Sequence, residues 1–264
     1  NTVPLVNILR GKGLDLIFMG DLNDGLARGL EAPKLRAAGR SITEPAVQLL
    51  YRDYMMAVDR LLAPKVLGLV AESNLIRAAA PGLYPAVKQA ANDTAAALRA
   101  AGSKTNLLVS VQVETAWGRL GGTGPYVGIE TDFTDFPFMQ TLGLSSYPYF
   151  GWSDPADIAA DYYQRLLAGR NTPVMVTEGG WASAGAGTIA SSPDKQARYV
   201  ERHAELLDSV SAKGWLHLQF ADVDLAEVPT PVPENLPLFA SIGLADSNFV
   251  PKPALAQWDA LFAR

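Results

Sequence analysis

Pro173-Val174-Met175-Val176-Thr177-Glu178-Gly179-Gly180-Trp181 is the stretch that decides how this chain is read. Residues 174–177 have strand character and run without a break into a lone carboxylate, and two glycines and a tryptophan follow at once. An apolar strand that ends in one Glu is how a parallel α/β sheet presents a reactive group. Such a strand is buried on both faces, and only its C-terminal end opens towards ligand. The glycines let the backbone turn sharply beside the carboxylate, and Trp181 can offer a flat apolar face to a ligand. The plain alternative is a strand that ends in a solvated Glu before a loop.

Working outward, the same design recurs. Residues 65–71 form an apolar strand that delivers Glu72, Ser73 and Asn74. Further strands are expected over residues 14–20, closing on Asp21, over 106–113, over 142–149 and over 215–221. Helices are expected over 2–12, from Thr43 as cap to about Leu61, over 85–101, from Ser153-Asp154-Pro155 to Gly169, from Ser192 to about Ala212, and from Pro253. Residues 22–43 read as a long loop, a length that points to function. Residues 118–135 read as polar and Gly-rich without a clear helix. Strand and helix alternate throughout without a linker, which predicts βαβ units and a parallel sheet in one domain, 1–264. No GxGxxG or P-loop follows any strand, so a doubly wound nucleotide-binding sheet is disfavoured. A TIM-type (β/α) barrel remains, incomplete, with about six strands visible instead of eight.

Composition narrows the chemistry. Of 264 residues 48% are hydrophobic, enough for a sizeable core, and the formal charge is −5. Without a basic excess, neither nucleic acid nor an anionic membrane surface is an expected partner. There is no cysteine, which removes thiolate catalysis, disulfides and cysteine metal sites. The two histidines disfavour Ser-His and poly-His metal chemistry. His203 is read as a helix-surface group and His217 as a hydrogen-bonded, buried one. No apolar run reaches the roughly 18 residues of a membrane span, and no cofactor or metal is called for.

Glu72 and Glu178 each end an apolar strand, with two strands between them. In a barrel both would reach one mouth, where two carboxylates suit glycosidic cleavage. One protonates the leaving oxygen and the other attacks the anomeric carbon. Retention needs a separation of about 5–5.5 Å and inversion roughly 6.5–9.5 Å.

At this point the sequence resembles a known family. Leu67-Gly68-Leu69-Val70-Ala71-Glu72-Ser73-Asn74 resembles the fourth-strand acid/base segment of the large clan of retaining (β/α)8 glycoside hydrolases. Residues 174–181 resemble the clan's seventh-strand nucleophile segment, in the E-x-G-W form of plant-type β-1,3-glucanases and endo-β-1,4-galactanases. Ser145-Ser146-Tyr147-Pro148-Tyr149 is similar to the sixth strand, whose tyrosine hydrogen-bonds the nucleophile. Residues 243–258 resemble the common tail. The likeness implies Glu178 as nucleophile, Glu72 as acid/base, Tyr147 as the group orienting Glu178, and a β-linked glycan as substrate. Two departures stand out. Ala71 replaces the Asn that usually precedes the acid/base, with Asn74 as a substitute from the other side. The clan's early strands and their arginine have no counterpart, so closure by a second polypeptide or by self-association is an expected arrangement. A non-catalytic carbohydrate-binding or assembly protein on the same fold is the rival reading.

Around these carboxylates, Asp21, Asn74, Gln112, Glu114, Tyr149 and Gln219 are candidate sugar contacts, and Glu114 is also a rival acid. Trp117, Trp152 and Trp181 lie beyond strand ends, where rings stack on sugar faces. Trp215 and Trp258 read as core. The substrate class slightly favours a secreted or periplasmic location.

Overall fold

The structure, a computed structural model, describes residues 2–120 and 122–263. Its elements follow in order: α1 (Thr2–Gly11), β1 (Ile17–Met19), α2 (Pro33–Ala37), α3 (Pro45–Leu62), β2 (Val66–Val70), α4 (Ser73–Ala79), α5 (Tyr84–Ala100), β3 (Asn106–Gln112), α6 (Val113–Ala116), α7 (Glu130–Asp135), β4 (Thr141–Ser146), α8 (Gln164–Leu167), β5 (Val174–Gly179), α9 (Pro193–Ser209), α10 (Leu236–Phe239) and α11 (Pro253–Phe262). The five strands are parallel and lie in the order β1-β2-β3-β4-β5, each beside its sequence neighbour. Sequential parallel strands joined by helical crossovers are the arrangement of a (β/α) barrel sheet, which has eight strands, five of them present among the described residues. The fold class is therefore an incomplete (β/α) barrel.

The chain divides into two compact units. The first comprises residues 1–111 and 129–143. In it Ile17, Phe18 and Met19 pair with Val66, Leu67 and Gly68, and β2 in turn pairs with β3 through Val66–Asn106 to Val70–Val109. The register shifts between Gly68 and Val70, two residues before Glu72. Leu67, Leu69, Leu107 and Val109 are buried. Helix α3 turns Val47, Tyr51, Met55, Val58 and Leu62 inward. This three- and four-residue spacing is the apolar stripe of an amphipathic helix. Helix α5, packed on α3, adds Val87, Ala90, Ala91 and Leu98, of which the two small alanines permit close approach.

The second unit comprises residues 112–128 and 144–264. Val174, Met175 and Val176 of β5 are buried, and α9 packs on α11. Ser192 caps α9, its hydroxyl accepting from the Lys195 N–H, with Pro193 in the first turn. Trp215 and Trp258, expected in the core, lie with ring centroids 4.4 Å apart and planes tilted by 57°, against buried Val200, Leu244 and Ala254.

Several expectations needed correction. The sixth strand is not a ladder: residues 215–221 touch β5 through a parallel bridge, Val176–Trp215, and through hydrogen bonds such as Leu218 N–H to Gly179 O. Leu216, Leu218 and Phe220 on this segment are exposed, so the face they share lacks the cover that continues a parallel strand. Glu44, not Thr43, precedes α3, with Pro45 supplying the start and Glu44 accepting from the Ser41 N–H. The long loop contains α2. Residues 118–135 contain α7, a helix too short for periodicity to reveal, with Glu130 and Asp132 in its first turn. The helix expected from Asp154 stops after one turn, Pro155–Asp157, where Ile158 turns extended, and helix resumes only at α8. Residues 73–79, to which no element was assigned from sequence, are α4.

Candidate active site

In the first unit the carboxylate at the end of β2 is organised by an arginine. Glu72 has a left-handed backbone, φ 50° and ψ 47°, a conformation that costs a non-glycine residue roughly 1–2 kcal/mol. Such strain persists where the surroundings hold it, and here they do. The Glu72 N–H donates to Ser110 Oγ at 2.9 Å. Next to it, Ser73 Oγ donates to Asp132 Oδ1 at 2.6 Å, and Arg77 grips the same carboxylate with two bonds of 2.9 Å. These contacts pin the first turn of α4.

Arg28 comes from the long loop after β1, whose path Asn23 fixes by donating to the carbonyls of Arg28 and Leu30. Its Nε donates to Glu72 Oε2 at 2.6 Å, and its NH1 to both oxygens of Asp21 at 2.7 and 2.6 Å. Arg28 and Glu72 are both buried, and Asp21 reaches solvent. Burial works to lower the Arg28 pKa, but the Glu72 and Asp21 carboxylates outweigh it and hold the guanidinium above its ordinary value. Asn74 is buried, its Oδ1 accepting from the Leu75 N–H at 2.9 Å.

The second unit holds two of the candidate carboxylates, Glu114 and Glu178. Glu114, in α6 just past β3, is completely buried. Oε1 accepts from the Tyr162 hydroxyl and from the Tyr147 N–H, the latter at 3.0 Å. Oε2 accepts from Gln112 Nε2, while Gln112 Oε1 takes the Thr115 N–H and caps α6. Burial pushes the Glu114 pKa up to about 7, against the pull of these donors. The Trp117 ring lies over Tyr162, centroids 5.7 Å apart and planes 30° apart, and its Nε1 donates to the Tyr162 carbonyl. Trp152 meets both rings edge-on, and the Arg119 guanidinium lies 5.5 Å from it.

Glu178 lies at the end of β5 and is half-buried. The two residues after it must be glycine. A Cβ on Gly179 would stand 2.3 Å from the Ser146 carbonyl oxygen, and one on Gly180 would stand 2.3 Å from the Ile242 side chain. Tyr147 is buried, with its ring against Tyr149, Phe150 and Phe239.

Some candidate contacts have other occupations. Trp181 is fully buried; its Nε1 donates to Ser191 Oγ and its ring packs against Tyr149 and Tyr199. Tyr149 is buried and donates to the Leu238 carbonyl. Gln219 donates to the carbonyls of Phe239 and Ala240. Trp117 is nearly covered, so of the three tryptophans it is Trp152 that keeps a partly open ring. His203 is not on the surface. It is fully buried, its Nε2 is 2.7 Å from the Tyr163 hydroxyl, and burial lowers its pKa to about 3. His217 is half-buried, with Nε2 2.9 Å from the Ile242 carbonyl.

The structure thus brings Asp21 to Glu72 through Arg28, and brings Gln112, Glu114 and Tyr147 together. Arg28, Ser110, Asp132 and Tyr162 were missed from sequence; the length of the loop that carries Arg28 was the one signal. Among the described residues no group of three or more His, Asp or Glu is placed to hold a metal ion, and no helix is long and apolar enough to cross a membrane.

Comparison with known proteins bears on the fold. No protein-family model matches the chain, and no curated protein does. Solved structures do. It is similar to an exo-β-1,4-mannosidase from Opitutaceae bacterium strain TAV5, with a TM-score of 0.64, 18% identity, and 99% of this chain matched to 48% of that one. The β-glycosidase of Thermosphaera aggregans gives a TM-score of 0.63 at 12% identity, over 99% and 70% of the two chains. A β-glucuronidase from an uncultured Clostridium gives 0.58 at 15%, over 99% and 42%. The chain spans less than half the length of the mannosidase and the glucuronidase. Likeness at this identity shows the fold, the (β/α) barrel that glycoside hydrolases of this kind share.

Two consequences can be measured. Arg28→Ala leaves Glu72 buried without its counter-charge, and urea unfolding is expected to show a loss of about 3–5 kcal/mol; an unchanged midpoint would mean that the ion pair does not hold this loop. The raised Glu114 pKa sets a sign. Its stabilisation is complete below the ordinary value of 4.5 and is lost as pH rises through about 7. The stability difference between wild type and Glu114→Gln is therefore expected to grow as pH falls from about 7 to about 4.5, read by thermal unfolding at several pH values. A difference that shrinks over that window would contradict it.

Proposed function

We propose that this chain is a glycoside hydrolase that cleaves a β-linked poly- or oligosaccharide with retention of configuration. Glu178 is the nucleophile, Glu72 the acid/base, and Tyr147 the group that orients Glu178. The observation that carries the reading is that a carboxylate ends β2 and another ends β5 in a barrel-type parallel sheet, the end at which such sheets place their chemistry. Local construction supports it: strained Glu72 is held by Ser110 and Arg28, and Glu178 precedes two obligatory glycines. The names of the similar structures, a mannosidase, a β-glycosidase and a glucuronidase, agree with the substrate class.

In the proposed cycle a Glu178 oxygen attacks the anomeric carbon. The bond to the leaving oxygen breaks, and that oxygen takes its electron pair and a proton from Glu72. Water then attacks the same carbon, gives its proton to Glu72 and releases Glu178. Trp152 supplies a sugar platform. The rest of residues 1–264 forms the support of one catalytic function.

A second reading, a carbohydrate-binding protein without catalysis, is favoured by one observation: a buried arginine already engages Glu72. A panel of β-glucans, galactans and mannans separates the two. Wild type is expected to release sugars from one class, and Glu178→Gln to lower the rate by at least about 10³-fold with binding kept. Glu72→Gln is expected to cost about 10²–10⁴-fold on that glycan, and far less on 2,4-dinitrophenyl glycosides, whose leaving group needs no proton. Binding to a glycan without release by wild type would end the catalytic reading.

A further inference from the structure

Glu114 is a buried carboxyl that the proposed cycle does not use, and its surroundings are built for one protonation state. Three hydrogens point at it: the Tyr147 N–H, the Tyr162 hydroxyl and a Gln112 amide hydrogen. A backbone N–H can only donate, and Gln112 is locked with its nitrogen towards Glu114 because its oxygen accepts from Thr115. A carboxylate accepts all three. A carboxylic acid cannot, because its own proton needs an acceptor among groups that are all donating. The one group able to reverse is the Tyr162 hydroxyl, which can turn its hydrogen towards the neighbouring Ser146 hydroxyl. The proton of the acid then sits on Oε1, the oxygen that holds the Tyr147 N–H, and a hydroxyl oxygen is a poorer acceptor than a carboxylate.

We propose that Glu114 is a positioning residue: its carboxylate holds the Tyr147 backbone just past β4 so that Tyr147 can orient Glu178, and protonation loosens that hold. The proposal rests on the role given above to Tyr147. Glu114 has no solvent exposure, so its proton reaches solvent only when this cage opens. The titratable groups that face it are tyrosines: Tyr162 and Tyr163 before α8, Tyr149 past β4, and Tyr199 of α9, each of whose pKa is raised, first by burial and in part by the Glu114 charge. None of them ionises near neutral pH, so the cage has a single proton to gain or lose there. Burial places that event at about 7, inside the range in which an enzyme is assayed.

The test reads Tyr147 directly and does not depend on activity. In the full chain labelled with ¹⁵N-tyrosine, the Tyr147 amide, assigned with Tyr147→Phe, is followed from pH 5.5 to 8.5. Its proton is expected to move downfield as pH rises through about 7, in step with the ionisation of Glu114, and to stay flat in Glu114→Gln. The second readout is kinetic, on whichever 4-nitrophenyl β-D-glycoside wild type cleaves best. Glu114→Gln, whose own NH₂ now meets the Gln112 amide or the Tyr147 N–H, is expected to lower kcat about 10- to 100-fold. KM is expected to stay within about twofold, and the acid-side fall of kcat near neutral pH to disappear. Glu114→Asp restores part of kcat. A Tyr147 amide that does not titrate in wild type, or titrates equally in Glu114→Gln, overturns the proposal, as does a variant that lowers kcat with the acid limb intact. The wild-type titration alone decides if Glu114→Gln fails to fold. If no glycoside is cleaved, the proposed function falls, and the amide titration still decides whether Glu114 anchors Tyr147.

Discussion

A carboxylate taken out of water must be given something in exchange, and that constraint shapes both compact units. Moving an ionised carboxyl into a low-dielectric interior costs several kcal/mol even after relaxation. In the first unit Glu72 receives a charge: Arg28 reaches it from a loop that Asn23 holds in place. In the second unit Glu114 receives donors instead, an amide, a hydroxyl and a backbone N–H. The two solutions differ in consequence. Arg28 stays a cation above its ordinary range, so the charge it offers does not vary with working pH. The donors around Glu114 only partly offset burial, which leaves that group near its titration point.

Glu72 and Glu178 sit at the C-terminal ends of strands, where the chain turns out of the sheet. At the end of β2 the bend is made by Glu72 itself, in the left-handed region. At the end of β5 it is made by Gly179, where any side chain would strike the Ser146 carbonyl. The contrast is physical. A glycine adopts such a path at little cost, whereas a glutamate needs neighbours to hold it, and Ser110, Arg28 and the pinned start of α4 provide them.

What the sequence made legible follows from periodicity. Strands β2 to β5 are apolar runs because both faces are covered, and the polar residue that ends each run is visible by contrast; Glu72 and Glu178 stand out for that reason. Helices α3, α5 and α9 carry the three- and four-residue spacing that a one-sided core demands. Pairings between distant residues left no such trace. Arg28 lies in a polar loop, and nothing local says that it folds back on Glu72. Asp132 sits in a helix of six residues, shorter than two turns. His203 was misread because a buried polar residue on an otherwise apolar face looks like a surface group until its partner is seen, here Tyr163. Trp181 was misplaced for a related reason: position beyond a strand end does not say whether a helix such as α9, through Tyr199, covers the ring. Residues 215–221 alternate as a strand should, but with Leu216, Leu218 and Phe220 uncovered they form bridges rather than a ladder.

The account stands on Glu178 forming a bond to sugar during the reaction. That bond can be caught by incubating the chain with 2,4-dinitrophenyl 2-deoxy-2-fluoro-β-D-glycosides of gluco, galacto and manno configuration, which form the glycosyl-enzyme and release it slowly. Peptide mass spectrometry then locates the adduct. The account predicts one fluoroglycosyl group per chain, carried by Glu178. Label on another carboxylate, or cleavage of an ordinary β-glycoside that yields the inverted anomer and leaves no adduct, would contradict it.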